Sequence, residues 1–302
     1  MKEEYIVNKS ETGMRIDAYI ASKDEKYSRS LVQRLIKEEK VLLDGKIAKA
    51  SNKVQCGQTV EFEYEELQNS ELKGEDIPID ILYEDDDILV VNKPKNMVVH
   101  PAVGNRSGTL VNAVLGRHEL SDINGEVRPG IVHRLDKNTT GVLVIAKNNI
   151  AHQKIAKQIE NRETKKEYIA LVRGLISENE GVINMPIGRH PTDRKKMTVR
   201  KDGKEAVTEF KVIKRYKEGF TLVRINLKTG RTHQIRVHMS HIGYPVVGDD
   251  VYSNGKNQFG VTSQMLHAHK LGFTHPTTGE KVEYEAPLPE YFEKIINELH
   301  EM

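Results

Sequence analysis

Short apolar runs, each only a few residues long and bounded by turn residues, mark the chain from about residue 80 onward. Such runs predict β-strands, because strands are short and their ends coincide with Gly, Pro, Asn and Asp. The predicted strands are Asp80–Tyr83, Ile88–Val91, Val142–Ala146, Lys165–Val172 and Leu222–Leu227. Helical spacing of apolar residues is confined to shorter stretches. These are Thr109–Leu115, a helix after the capping residue Asn148, and Tyr291–Leu299.

The first part of the chain forms a separate pattern over residues 13–64. Two helices are predicted, one from the apolar spacing within Arg15–Ile20 and one after Ser28, which can cap it. Strands follow around the turn Asp44-Gly45 and at Thr59–Phe62. Residues 65–78 have almost no apolar periodicity and are predicted to be an acidic linker. We therefore expect a small αβ domain, this linker, and a large domain over residues 79–300.

Charge is distributed unevenly, although the formal net charge is only +2. Residues 61–87 are strongly acidic, with Lys73 as their one base. Residues 186–204, called the basic arm below, carry mostly Arg and Lys among their charged side chains. The Pro, Gly and Asp content of the arm predicts a long hairpin. Contact with phosphate is one interpretation of the arm, and a solvated surface loop is the other.

The composition, with 37% hydrophobic and 30% charged residues, is typical of a globular protein and not of a disordered one. Apolar runs such as Val142–Ala146 are far shorter than the roughly 18 residues of a membrane span. The N-terminal sequence MKEEYIVNKSE lacks the apolar core of a secretory signal. Cys56 is the one cysteine, which excludes an intramolecular disulfide and a multi-cysteine metal site. We expect a monomer in the reducing cytoplasm, without membrane association.

The stretch Arg128–Lys147, RPGIVHRLDKNTTGVLVIAK, places reactive side chains between apolar residues. A turn at Pro129-Gly130 leads to a predicted short strand, Ile131-Val132, and Val142–Ala146 closes the segment. The loop between these strands carries an imidazole, two cations and the carboxylate of Asp136. Two strands can hold such a side chain still while presenting it to a ligand. On these features alone, an ordinary surface turn is the simpler interpretation.

The string HRLDKNTTG in this loop closely resembles the signature HRLDxxTSG of the RluA family of RNA pseudouridine synthases. Thr140 stands where Ser is usual, and Thr keeps the hydroxyl group. The resemblance implies that Asp136 is the catalytic residue. Lys166-Glu167-Tyr168 resembles the family segment whose Tyr lies in the active site, and GRTHQIRVH resembles the segment in which Arg236 pairs with the catalytic Asp. YEDDDILVVNKPKNMVVHP and Leu266-His267-Ala268 also resemble family segments, the latter with a Leu that packs against the target base.

The small N-terminal pattern resembles the S4 RNA-binding domain through SRSLVQRLIKEEKVLLDGK. Its helix pair and following turn contact structured RNA in that family, so Arg29 and Arg34 are candidate RNA contacts. An S4 domain ahead of an RluA-type catalytic domain is similar to the RluD type. Members of that type modify uridines in the helix 69 loop of large-subunit ribosomal RNA.

The resemblance implies an α+β catalytic domain with a mixed, mostly antiparallel sheet and a central cleft. The implied reaction breaks the N1–C1′ bond of uridine, turns the uracil, and rejoins it through C5. A carboxylate suits this step as a nucleophile or as a stabiliser of positive charge at C1′, and a nearby guanidinium favours its charged form. No cofactor is expected, because the sequence has no phosphate loop or dinucleotide fingerprint. Flipping the target nucleotide would leave a gap for Arg134. The further RNA contacts implied are His133, Arg231 and Leu266.

Other interpretations predict different products. HRLDKN superficially resembles a kinase catalytic loop, but no Gly-rich loop precedes it and no Asp-Phe-Gly follows. His233, His238 and His241 lack a metal-binding motif. A non-catalytic RNA-binding protein would give no modified product, and a hydrolytic nucleosidase acting through Asp136 would release free uracil. A synthase acting on other ribosomal or transfer RNA uridines is also compatible with the sequence.

Overall fold

The computed structural model describes residues 2–24, 27, 29–63, 72–101, 105, 107–118, 120–123, 128–193, 195–253, 259–261 and 263–302. The chain divides into two compact units, residues 1–71 and 72–302. The small unit has a strand before residue 13, and residues 72–78 of the predicted linker belong to the large unit, where Leu72 and Ile77 pack against the core. Residues 65–71 of that linker lie outside the described residues. In the described ranges, no helix has the length and apolar character needed to cross a membrane.

The small unit packs two helices on an antiparallel sheet. Its elements are β1 (Lys2–Ile6), α1 (Ile16–Ala21), α2 (Arg29–Lys37), β2 (Val41–Leu43), β3 (Lys46–Ile47) and β4 (Thr59–Glu63). The strand order is β1-β4-β2-β3. Apolar residues of both predicted helices, among them Ile16, Tyr19 and Leu35, are buried against Phe62. The predicted cap Ser28 and the side chains of Arg29 and Arg34 lie outside the described part of the chain.

The large unit is built on one sheet. Its elements are β5 (Asp80–Glu84), β6 (Ile88–Lys93), α3 (Leu110–Leu115), β7 (Thr140–Ala146), α4 (Asn149–Glu160), β8 (Lys165–Arg173), β9 (Glu180–Asn184), β10 (Ile187–Arg189), β11 (Met197–Val199), β12 (Val207–Tyr216), β13 (Phe220–Leu227), α5 (Gln234–His241), β14 (Leu266–Thr274), β15 (Lys281–Glu285) and α6 (Glu290–Glu298). The order is β5-β6-β7-β14-β8-β13-β12-β9, with β15 paired to β14. Among the described strands, only β7 and β14 pair in parallel. The expected mixed, mostly antiparallel sheet is confirmed.

The predicted starts of α3 and α4 are also confirmed. The Asn148 side chain accepts a hydrogen bond from the backbone N–H of Ala151, 2.9 Å away, and so caps α4. The Thr109 side chain accepts from the N–H of Asn112 at the start of α3. Every residue of β7 is buried. Each large apolar side chain there contributes about 1.5–3 kcal/mol by leaving water, which makes this strand the centre of the core.

Strands β7 and β14 begin side by side. Thr140 pairs with His267, and Gly141 pairs with Ala268. Gly141 has φ +115°, and a Cβ at this position would lie 2.1 Å from the carbonyl oxygen of Ala268. Only glycine permits this approach. The pairing brings the loop that precedes β7 to the first residue of β14, Leu266.

The predicted strand Ile131-Val132 is wrong. Ile131 forms one isolated bridge with Ile145, and residues 133–136 are irregular. Gly130 has a left-handed φ of +68°, and its N–H donates to the carbonyl of Ser121. β6 pairs with one edge of β7 along nearly its whole length, β14 pairs with Thr140 and Gly141, and the incoming segment meets β7 only at the bridge between Ile131 and Ile145.

The predicted hairpin of the basic arm is confirmed. Strands β10 and β11 pair in antiparallel register, with Ile187 opposite Val199 and Arg189 opposite Met197. Arg194 lies outside the described residues.

Candidate active site

Asp136 lies in the loop before β7. Leu135 is buried beside it and anchors the loop in the core. The backbone N–H of Thr139 donates to the carbonyl of Asp136, which turns the chain toward β7. The Asp136 side chain is only partly buried and faces a pocket. The loop therefore holds one carboxylate at the centre of the sheet without enclosing it.

Arg236 is placed by the start of α5. The side-chain oxygen of the buried Gln234 accepts hydrogen bonds from the Thr229 hydroxyl and the Arg231 N–H, which fixes the turn before the helix. His233 precedes α5 with a left-handed φ of 56°, a backbone conformation that costs free energy in a residue other than glycine. The helix then carries Arg236 into the interior, where it is 4% exposed.

One guanidinium joins two carboxylates. Arg236 Nη1 donates to Asp136 Oδ2 at 3.1 Å, while Nε and Nη2 donate to the two oxygens of Asp249 at 2.7 and 2.9 Å. Asp249 also accepts from the backbone N–H groups of Val251 and Tyr252. The bidentate bond to Asp249 fixes the plane of the guanidinium. The other terminal nitrogen, Nη1, is thereby directed at Asp136.

The charge of Arg236 is maintained in spite of its burial. Burial alone would lower its pKa, but hydrogen bonds and negative charge from Asp249 and Asp136 raise the pKa above its usual value. A buried ion pair of this kind is strongly destabilising when one partner is removed. The arrangement therefore depends on all three groups together.

Tyr168 on β8 and Leu266 at the start of β14 border the same pocket. Burial raises the pKa of the Tyr168 phenol, and the negative charge of Asp136 raises it further. The phenol is consequently neutral near neutral pH and retains a proton that it can donate. Leu266 supplies an apolar surface against which a flat ring can pack.

These side chains define the cleft pocket. It is lined by, among others, Arg134, Asp136, Tyr168, Arg231, His233, Arg236 and Leu266. Of the predicted site residues, His133 lies instead in an adjoining pocket, called the side pocket below. Burial lowers the pKa of His133 to about 3, so the ring is neutral. Its Nε2 accepts a hydrogen bond from the N–H of Val144 at 3.1 Å, which only a neutral ring can do. Arg29 and Arg34 belong to the small unit, and their side chains lie outside the described residues.

Lys93 is a site residue that the sequence prediction missed. Its side chain is fully buried, and Nζ donates to the carbonyls of Pro94, Met97 and Lys137 at 2.8, 2.9 and 3.1 Å. Burial lowers its pKa to about 7, and the negative charge of Asp136 opposes this shift. The lysine thus ties the loop that carries Asp136 to the end of β6. The sequence feature that could have indicated Lys93 is its place at the end of the apolar run ILVVNK.

The histidines of the GRTHQIRVH segment have protein partners. His233 Nδ1 lies 2.9 Å from the hydroxyl of Tyr252. His238 contacts the Thr208 hydroxyl through Nδ1 and the Met185 carbonyl through Nε2, both at 2.9 Å. These contacts account for the two rings as structural groups, with neutral imidazoles whose pKa burial lowers.

The chain matches two protein-family models and several known proteins. The model of the RNA pseudouridylate synthase family matches residues 87–241, and that of the S4 domain matches residues 14–60. The uncharacterized RNA pseudouridine synthase YlyB of Bacillus subtilis is 49% identical over 286 residues, which cover 94% of each chain. The ribosomal large subunit pseudouridine synthase D of Pseudomonas aeruginosa is 43% identical over 292 residues, which cover 93% of this chain and 90% of that protein.

A solved structure shares the fold. Human RNA pseudouridylate synthase domain containing 1 superimposes with a TM-score of 0.61 and 29% identity, over 76% of this chain and 91% of that chain. Asp136, Tyr168 and Arg236 lie within the residues that the synthase family matches, and Leu266 lies beyond them in the same large unit. The chain therefore belongs to the RNA pseudouridine synthases and carries an S4 domain ahead of its catalytic domain.

Proposed function

We propose that this synthase modifies uridines in the helix 69 loop of large-subunit ribosomal RNA, with Asp136 as the catalytic carboxylate. The target is supported by relatives named ribosomal large subunit pseudouridine synthase D, which are 43% and 40% identical over 93% and 98% of this chain. It is also supported by the resemblance of the whole chain to the RluD type. The S4 domain would hold the folded RNA, with Arg29 and Arg34 as contacts.

The observation that carries the catalytic assignment is the bond from Arg236 to Asp136, fixed from behind by Asp249. A carboxylate held in this way is oriented before substrate arrives, so little reorganisation is needed during reaction. Arg134 is exposed at the rim of the cleft pocket. From there it fills the gap in the RNA stack when the target uridine enters.

The reaction conserves every atom of the uridine. Asp136 either attacks C1′ or assists formation of a glycal, and the N1–C1′ bond breaks with its electron pair on the uracil. The freed uracil turns against Leu266 and Tyr168, and C5 bonds to C1′. Formation of the C5–C1′ bond displaces the Asp136 ester or, on the glycal route, is accompanied by return to C2′ of the proton that Asp136 removed, so the carboxylate is free again. The proton on C5 is then lost and N1 gains one, which gives pseudouridine. The raised pKa of Tyr168 keeps its phenol protonated, so it can donate a hydrogen bond to the turning uracil.

Mapping of pseudouridines in ribosomal RNA from cells with and without the gene tests the target. We expect the helix 69 uridines to lose modification in the deletion strain and to regain it when the gene is restored. Restoration with Asp136→Asn should leave them unmodified. Loss of modification elsewhere in ribosomal RNA, or in transfer RNA, would reject the helix 69 target while leaving the synthase activity in place.

A further inference from the structure

Lys166 lies two residues before Tyr168 on β8, so both side chains project from the same face of the strand, about 7 Å apart. Lys166 is partly buried, and burial lowers the pKa of its ammonium. Within the described residues, its ammonium has neither a hydrogen bond nor an ion pair. A desolvated cation without a partner is costly, unless a ligand supplies the anion.

The side pocket around Lys166 is basic. Its volume is about 410 Å³, against about 100 Å³ for the cleft pocket, so it has room for a group larger than a base alone. The cationic side chains that line it are Arg134, Arg162, Lys166, Lys228 and Arg231. Glu160 is the one acid in the lining.

Most of these cations already have protein partners. Arg162 pairs with Glu205 at 2.6 Å, and Lys228 pairs with Glu209 at 3.2 Å. Arg231 Nε donates to the carbonyl of Glu205. Lys166 is therefore the cation of the side pocket that is both desolvated and unpaired in the described part of the chain.

The two pockets share walls. Arg134, Tyr168 and Arg231 line both, so a chain that enters the cleft pocket continues directly into the side pocket. His133, which also lines the side pocket, is held neutral by burial and by the positive charge of Lys166. It does not compete with Lys166 for an anion.

The geometry points to a phosphate subsite: the side pocket binds a backbone phosphate next to the target uridine, with Lys166 as its counter-ion. This assignment rests on the proposed function, because it places the target uridine in the cleft pocket beside Asp136. The ion pair would hold the RNA in register while the base turns, so Lys166 is a positioning residue. Phosphate contacts fix the orientation of a nucleic acid without reading its sequence.

The matched variants are Lys166→Met and Lys165→Met. Lys165 is the neighbouring lysine on β8, exposed and paired with Glu283. The substrate is an RNA hairpin with one target uridine. It is made in three forms: with natural phosphates, with a neutral methylphosphonate on the 5′ side of that uridine, and with one on its 3′ side. For the wild type, we expect one of the two methylphosphonates to lower kcat/KM by about tenfold, the worth of one charge-assisted hydrogen bond. The same methylphosphonate should change Lys166→Met by less than about twofold, while Lys165→Met should behave as the wild type.

RNA binding gives a second readout that needs no turnover. The slope of log Kd against log salt concentration should fall by about 0.7–0.9 in Lys166→Met and return in Lys166→Arg. The subsite would be overturned if each methylphosphonate changed kcat/KM equally in the wild type and in Lys166→Met and the salt slope were unchanged. A wild-type protein that forms no pseudouridine would instead reject the proposed function, and the salt slope would still decide the role of Lys166.

Discussion

The backbone N–H of Met197 donates a hydrogen bond to the hydroxyl of Tyr252, 2.9 Å away, and so joins the basic arm to the cleft. The same hydroxyl lies 2.9 Å from Nδ1 of His233, and Nε2 of His233 lies 4.0 Å from Asp136 Oδ2. A strand of the basic arm is thus linked through Tyr252 to a ring beside the Asp136 carboxylate.

Removal of the Tyr252 hydroxyl should reduce turnover more than binding. In Tyr252→Phe, the Met197 N–H and His233 lose their partner, which we expect to lower kcat by about tenfold and the free energy of unfolding by about 1 kcal/mol. KM should change by less than twofold. Tyr216→Phe, in the cluster beneath α6, is the control and should keep wild-type kinetics. A rise in KM with constant kcat would show that Tyr252 acts in RNA binding instead.

Asp136→Asn separates chemistry from recognition. The amide keeps the size of the side chain but cannot attack C1′ or balance positive charge there, so turnover should fall by at least about 10³-fold. RNA affinity should stay within about threefold of the wild type, since the other lining residues are unchanged. Single-turnover assays and filter binding measure the two quantities. Pseudouridine formation at wild-type rates would remove the catalytic assignment.

Arg236→Lys keeps the positive charge but removes the planar guanidinium that donates to two carboxylates at once. A single ammonium cannot satisfy both oxygens of Asp249 and also reach Asp136, so one carboxylate is left without its cation. We expect a loss of about 3 kcal/mol of stability and at least about 10²-fold in kcat. Chemical denaturation and turnover assays test this together. Arg224→Lys is the control, because Arg224 on β13 is half-exposed and pairs with the single carboxylate of the buried Glu167, which a lysine can also reach, so the loss should be small.

Lys93 should make stability depend on pH. Its pKa is about 7 in the folded protein and near 10.5 when exposed, so between these values the unfolded chain binds more protons. The contribution of this group to the free energy of unfolding therefore rises with pH from about 7 to 10.5, at up to about 1.4 kcal/mol per pH unit, and is constant below 7. Lys93→Met should remove that slope. Parallel pH profiles of the two proteins in urea would contradict the assignment.

Two glycines test the close approach of β7 and β14. Gly141→Ala places a methyl group 2.1 Å from the Ala268 oxygen, whereas Gly219 has a similar left-handed φ of +83° with open space around it. We expect Gly141→Ala to cost at least about 3 kcal/mol and Gly219→Ala about 1 kcal/mol. Thermal unfolding of both variants separates steric overlap from backbone strain. Equal losses would mean that the overlap relaxes freely.

The site was accessible from the sequence only in part. The strands, the Asn148 cap and the hairpin of the basic arm follow from local patterns, because each depends on neighbouring residues. The pairing of Arg236 with Asp136 spans 100 residues, and family resemblance, not spacing, predicted it.

The features that were missed depend on distant partners. The acceptors of Lys93 include the carbonyl of Lys137, which lies 44 residues away, and no side-chain pattern marks a carbonyl. The strand Ile131-Val132 was predicted wrongly because its composition suits a strand, whereas in the fold it meets β7 at a single bridge, between Ile131 and Ile145.

The position of β14 has a consequence for the folding of the chain during its synthesis. In the sheet, β14 lies between β7 and β8, although it is synthesised long after both. A nascent chain that ends before Leu266 would therefore have the Asp136 loop attached to β7 and Tyr168 on β8, without the strand that joins β7 to β8. The long sequence separation makes this insertion a late and slow step of folding. Translation must therefore reach the last eighth of the polypeptide before the sheet that carries the site can be completed.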